Sequence, residues 1–181
     1  MSSSDPFSPP TAKLTIGSLD EPGIQVEAQY NPKELSVVQD VPWAKPGAAN
    51  QTGTQQGSGG GSGDPIALEF TGAAGRTMTV ELLFDQYEEL GGGRAVNVAK
   101  QVGILETLAR IRNPAETDEN KRRPHQCVVA WGGRGLPSFK CVITKLNTKY
   151  TMFSSDGEPL RATCTVDLKE AHAVDKKAGA K

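Results

Sequence analysis

The stretch from Ile66 to Ile111 changes its hydrophobic period partway along, and that change limits the folds open to the chain. Ile66, Leu68 and Phe70 alternate with Ala67 and Glu69; after a break at Gly72 to Arg76, Met78, Val80, Leu82 and Phe84 alternate with Thr77, Thr79 and Glu81. Side chains in a strand point to opposite faces in turn, so the pattern predicts two strands, each with a dry and a wet face, joined by a glycine-containing turn. Beyond Gly91-Gly92-Gly93 the apolar positions Val98, Val102, Leu105 and Ala109 fall at three- and four-residue steps, with Val96, Leu108 and Ile111 beside them. This spacing predicts an amphipathic helix from Arg94 to Arg112, ended by Asn113-Pro114. A hairpin with one apolar face, followed at once by such a helix, predicts that the helix lies across the hairpin.

The remaining strands follow from the same alternation. Leu14 to Ile16 forms a short strand before the turn Asp20-Glu21-Pro22-Gly23, and Ile24, Val26, Ala28 and Tyr30 alternate with Gln25, Glu27 and Gln29 until Asn31-Pro32 breaks the run. Leu35 to Val41 is another strand, with the Trp43 indole placed to anchor its end. Gln126 to Gly132 has apolar residues on both faces, Cys127, Val129 and Trp131 against Val128 and Ala130. Phe139, Cys141 and Ile143 continue after a glycine-rich turn, and Leu146 to Phe153 reads as a separate strand. After Asp156-Gly157 comes the cleanest pattern: Leu160, Ala162, Cys164, Val166 and Leu168 on one face, Arg161, Thr163, Thr165, Asp167 and Lys169 on the other. About eight strands and one helix describe a mainly β (α+β) antiparallel domain, a barrel or sandwich carrying one helix.

At 181 residues the chain suits one ordinary domain, here residues 13–170. Residues 1–12 read as a disordered arm and 171–181 as a disordered tail. Residues 44–64 hold seven glycines and three glutamines with almost nothing apolar, a flexible loop unless a partner orders it. A net charge of -1 gives no general attraction to nucleic acid or to an anionic membrane, and Lys121-Arg122-Arg123 reads as a solvated turn. The chain has no apolar run long enough to span a bilayer and no signal-peptide pattern at its start, so it is expected to assemble in the cytoplasm.

Candidate chemistry is sparse. His125, Cys127, Cys141, Cys164 and His172 are the soft metal ligands, but no C-x-x-C or H-x-x-x-H spacing supports zinc, and on alternating strands the cysteines read as small core residues. Nucleophilic catalysis needs a base near a serine or cysteine, and His125 is the only histidine in the expected core. Asp85, Glu88 and Glu89 sit where a strand leaves the sheet and read as solvated carboxylates. Gly91-Gly92-Gly93 before a helix, with Arg94, fits a phosphate at a helix N-terminus only weakly; a hinge is the simpler reading. No catalytic, cofactor-binding or metal-binding residue is therefore assigned.

Four separated blocks carry a resemblance. Gln29-Tyr30-Asn31-Pro32-Lys33-Glu34-Leu35, Leu82-Leu83-Phe84-Asp85-Gln86-Tyr87, Val129-Ala130-Trp131-Gly132, and Tyr150 to Phe153 with Asp156-Gly157-Glu158-Pro159-Leu160-Arg161-Ala162 stand in that order. Together they resemble the contractile injection system tube-like baseplate protein family over residues 12 to 170. The resemblance implies a phage-tail-tube-like antiparallel β-barrel with one flanking helix. It also implies a homohexameric ring that joins the inner tube, or a tube initiator, to the spike, hub and baseplate of a phage-tail-like particle. Longer members carry a LysM-type peptidoglycan-binding domain after the tube-like domain; this sequence ends at Lys181, and the expectation is a protein without it.

A wall of strands with a dry face under a helix and a wet face bearing Thr77, Thr79, Thr163 and Thr165 suits a water-filled channel, and equally a monomeric barrel with an ordinary solvent face. Three readings follow: a structural ring component acting by strand pairing and axial stacking, as adaptor, tube initiator or repeating tube subunit; a monomeric ligand-binding barrel; and an enzyme, for which the sequence shows no convergent polar pocket. The loop at Gly47 to Gly63 is expected to reach the adjoining ring.

Overall fold

A computed structural model describes residues 12–44, 68–72, 75–87, 96–118, 121–132 and 136–171. In chain order the elements are β1 (Leu14–Ser18), β2 (Gln25–Glu27), β3 (Ser36–Val38), β4 (Trp43–Ala44), β5 (Glu69–Phe70), β6 (Thr77–Asp85), α1 (Val98–Ala109), β7 (Cys127–Trp131), β8 (Leu136–Phe153) and β9 (Pro159–Glu170). The fold is mainly β. Seven strands form one sheet in the order β2-β1-β7-β8-β9-β6-β3, and β4 and β5 form a separate pair. Every pairing is antiparallel.

The centre of the sheet is where the alternation is strictest. Met78, Val80, Leu82 and Phe84 of β6 point inward beside Leu168, Val166, Cys164 and Ala162 of β9, their direct cross-strand partners. Packing one apolar ladder against another removes both from water, the largest favourable contribution to folding. Onto this face α1 lays Val98, Val102, Leu105 and Leu108. The Asn97 carboxamide caps the helix by accepting from the Lys100 N–H at 2.8 Å. At the other end the helix stops at Ala109, short of the expected Arg112. Arg112 is held elsewhere, its N–H on the Arg123 carbonyl at 3.1 Å and its guanidinium on Glu21.

The hairpin expected between Ile66–Phe70 and Met78–Phe84 does not form in the described part. β5 pairs with β4 instead, Phe70 opposite Trp43, and the two rings meet at 5.7 Å between centroids. Leu68, Phe70 and Trp43 remain 53%, 50% and 56% exposed, so their alternation does not mark a core face. The helix packs chiefly on β8 and β9 rather than across that hairpin. Ile66 lies outside the described residues, as do Arg94 and Ala95.

The two strands expected at Phe139–Ile143 and Leu146–Phe153 are one continuous strand, β8. A bulge between Ile143 and Lys145 inserts one residue and resets the alternation, which is why the pattern looks broken in sequence. The strands expected at Ile24–Tyr30 and Leu35–Val41 are shorter than predicted, reduced to β2 and β3. The β8–β9 turn needs Gly157, whose φ of +84° suits glycine.

Beyond β2 the chain is tied to β6 by a side chain. The Gln29 carboxamide accepts from the Asp85 N–H at 2.7 Å and donates to the Asp85 carbonyl at 2.8 Å, as a neighbouring strand residue would.

Candidate assembly surface and the junctions that shape it

β9 is paired along both sides, with β8 on one and β6 on the other. β8 is not. Its pairing with β7 ends at Cys141, so from Val142 to Phe153 the strand has β9 on one side and no strand on the other among the described residues. At the opposite limit of the sheet, β3 pairs only with Thr77 to Thr79 of β6 and has no strand on its outer side among the described residues. Long unpaired edges are templates for another strand.

The wet face of these strands is continuous. Thr79 lies opposite Asp167, Glu81 opposite Thr165, and Leu83 opposite Thr163; beyond β9 the same rows reach Lys145, Asn147 and Lys149 of β8. Thr77, Thr79, Thr163 and Thr165 thus share one face, as their alternation predicts. The Thr79 hydroxyl donates to Asp167 at 2.8 Å.

Two junctions explain why the four sequence blocks belong together. At the first, Arg161 binds Asp85 Oδ2 through Nε, at 2.8 Å, and through Nη2. Asp85 Oδ1 accepts the Tyr87 N–H at 2.9 Å while its backbone is held by Gln29. Asp85 is only 4% exposed, so the solvated carboxylate expected here is instead a buried, paired one. At the second, Asn31 accepts from the Leu14 N–H at 3.0 Å and donates to the Ala12 carbonyl at 2.9 Å, where the Trp131 indole N–H also arrives at 3.3 Å. Gly132, at a φ of +63°, passes close beside Ala12.

A third cluster had no signal in the sequence pattern. The Ser18 hydroxyl lies 2.8 Å from His125 Nδ1, both buried. Ser18 Oγ already accepts the N–H groups of Asp20 and Glu21 at 3.1 and 2.9 Å, so its one proton goes to Nδ1 and the imidazole is held neutral. With its lone pairs occupied and the pair out of solvent, this is a fastening and not an activated nucleophile. Around it, Arg123 grips both oxygens of Asp20 at 2.9 Å, and Arg112 reaches Asp20 at 3.3 Å and Glu21 at 3.1 Å. Arg123 is therefore not part of a solvated turn, as expected from Lys121-Arg122-Arg123, although Lys121 is exposed.

These contacts set the pH response. Its paired guanidinium, foremost, holds the Asp20 carboxyl down at about 2. Burial, then Arg112, lowers His125 from its ordinary 6.5, against a smaller upward pull from Glu21 and Asp20. The unfolded chain takes up a proton on this histidine as pH falls below 6.5 while the folded chain resists it, so stability present above that pH is lost on acidification. A urea midpoint that falls between about pH 7.5 and about pH 5.5, and falls less in His125→Asn, is the expected result. The Asp20 contribution persists until the pH drops below 3.8 toward about 2.

Cys127 and Cys141 are direct cross-strand partners, and Cys164 lies in the same core. Burial pushes the thiols of Cys127 and Cys141 up to about 12, and that of Cys164 upward as well. Among the described residues no three His, Cys, Asp or Glu side chains are grouped to hold a metal. Glu88, Glu89, Gly91 to Gly93, Arg94 and His172 lie outside the described residues, as does most of the 44–64 loop. No helix among the described residues is long and apolar enough to cross a membrane.

No curated relative matches the chain. The sequence model of a contractile injection system tube protein does, over residues 11–179, which takes in every element of the sheet and the helix. On that match the chain belongs to the contractile injection system tube protein family.

Proposed function

We infer that this chain is a structural ring component that joins the inner tube of a contractile injection particle to its baseplate hub and spike, acting by strand pairing and axial stacking rather than by turnover. The unpaired half of β8, Val142 to Phe153, carries the reading. Taken from β8 through β9 and β6 to β3, strand direction alternates, so β8 and β3 run oppositely. Rotation about a ring axis preserves those directions. The β3 edge of one copy therefore meets the β8 edge of the next as an antiparallel pair, and closure leaves no edge exposed.

Six copies closed in this way give a homohexamer with the threonine-bearing face toward the lumen and the helix away from it. The half-exposed Trp43, Phe70 and Leu68 lie beside the glycine-rich segment, which suits contact with an adjoining ring, the inner tube or a tube initiator on one side and the hub on the other. The domain is residues 13–170, and particle assembly begins in the cytoplasm.

Native mass measurement and electron microscopy of the chain with its tube and baseplate neighbours test this. A stacked ring of six is the expected result; a stable monomer holding a small ligand would overturn it. One ring per particle marks an adaptor or initiator, and many mark the repeating tube subunit. Deleting Gly47 to Gly63 should leave rings that no longer stack.

A further inference from the structure

Continuing rows across the sheet shows what the two free edges present to each other. Ser36, Thr79, Asp167 and Lys145 form one row, and Val38, Thr77, Lys169 and Val142 another. Two residues further along β3, in either direction, the same alternation places Glu34 in the row of Glu81, Thr165 and Asn147, and Asp40 in the row of Lys140. Leu35 packs on the core while Glu34 and Ser36 are exposed, which fits that alternation. On the wet face, then, the β3 edge carries Glu34 and Asp40, and the unpaired half of β8 carries Lys145 and Lys149, while Lys140 lies where β7 already occupies the edge. All five are exposed, and among the described residues none is in an ion pair within its own chain.

We propose that the partner of the β8 edge is the β3 edge of a second copy of this chain, and that Glu34 of one copy against Lys145 and Lys149 of the next selects that pairing and holds its register to within one row. This rests on the ring reading above and adds to it which residues meet. With rows level, Val38 faces Val142 at the start of the unpaired half of β8, Asp40 falls beyond it where β7 begins, and Glu34 lies diagonally between Lys145 and Lys149, within reach of both. A slip of one row either way seats Glu34 directly on one of those lysines. A one-residue slip would turn the whole edge inside out and is excluded by the buried face. The reverse meeting, β3 to β3 or β8 to β8, sets like charges against each other and is disfavoured.

Two variants test the pairing. Lys145→Glu/Lys149→Glu sets glutamates against the neighbour's acids, and Glu34→Lys/Asp40→Lys sets lysines against lysines. Each alone should weaken ring formation about tenfold at low salt, with the deficit shrinking near 1 M salt as screening removes it. Mixed in equal amounts, the two should assemble again as rings in which the variants alternate, because each junction then joins opposite charges; native mass would show equal numbers of both. Restored, alternating rings support the proposal. If the wild type forms rings and both variants form them equally well at low salt, the charge selection is wrong and the ring reading stands. A wild type that stays monomeric alone and with its neighbours overturns the ring reading and the proposal with it. The register has its own readout: Val38→Cys/Val142→Cys should give copy-to-copy disulfides when rings are treated with an added thiol oxidant, and rings that assemble without cross-linking overturn the row match.

Discussion

Leu82→Asp yields no folded protein. Leu82 is 0% exposed, opposite Cys164 on β9. A carboxylate there has no cation within the apolar ladder, and burying one unpaired costs several kcal/mol or forces it to stay protonated. Total stabilities are about 5–15 kcal/mol, so most of the margin disappears. Val166→Asp has the same outcome, since Val166 sits between Val80 and Leu146 in the middle of three strands. Thr77→Asp, on the exposed face opposite Lys169, should change stability by only about 0.5 kcal/mol. Urea unfolding followed by circular dichroism makes the comparison. Soluble, cooperative unfolding in both Leu82→Asp and Val166→Asp would mean that the faces of the central strands are reversed.

Arg161→Met comes next in expected size. It leaves Asp85 buried without its cation, a change worth about 3–5 kcal/mol for a fully buried pair. The Arg161 side chain is 40% exposed, which places the expected loss near the lower end. Asp85→Asn/Arg161→Met, which removes both charges, should recover a large part of the loss in a double-mutant cycle. A single-variant loss under about 1 kcal/mol would show that the junction of Gln29, Asp85 and Arg161 does not hold the end of β6 in place.

What the sequence made legible follows from what periodicity records. β6, β9 and α1 each bury one face against a shared core, and their residues repeat at the period of that face. Alternation records which face is dry but not which strand lies beside it, so Ile66 to Phe70 was assigned to the wrong neighbour. One inserted residue at Thr144 split β8 into two apparent strands. The charged sites were opaque for a different reason. Asp85 meets Arg161 across 76 residues of sequence, Asp20 meets Arg123 across 103, and Ser18 meets His125 across 107. Nothing local distinguishes such a carboxylate from a solvated one. The four blocks of the family resemblance contain Gln29, Asn31, Asp85, Trp131 and Arg161, so the motifs marked these junctions without showing what they join.

The extra residue in β8 makes residue count, and not only residue chemistry, part of what sets the two faces of the sheet. Because Thr144 gives β8 two steps against one step of β9, Ile143 and Leu146 both face the core; strict alternation through Thr144 without the bulge would send Leu146 and Thr148 to the water and Lys145, Asn147 and Lys149 into the apolar interior. Deleting Thr144 therefore leaves Lys145 opposite Asp167 and Leu146 opposite Val166, whereas a deletion within the regularly paired rows beyond it turns the following residues to the wrong face.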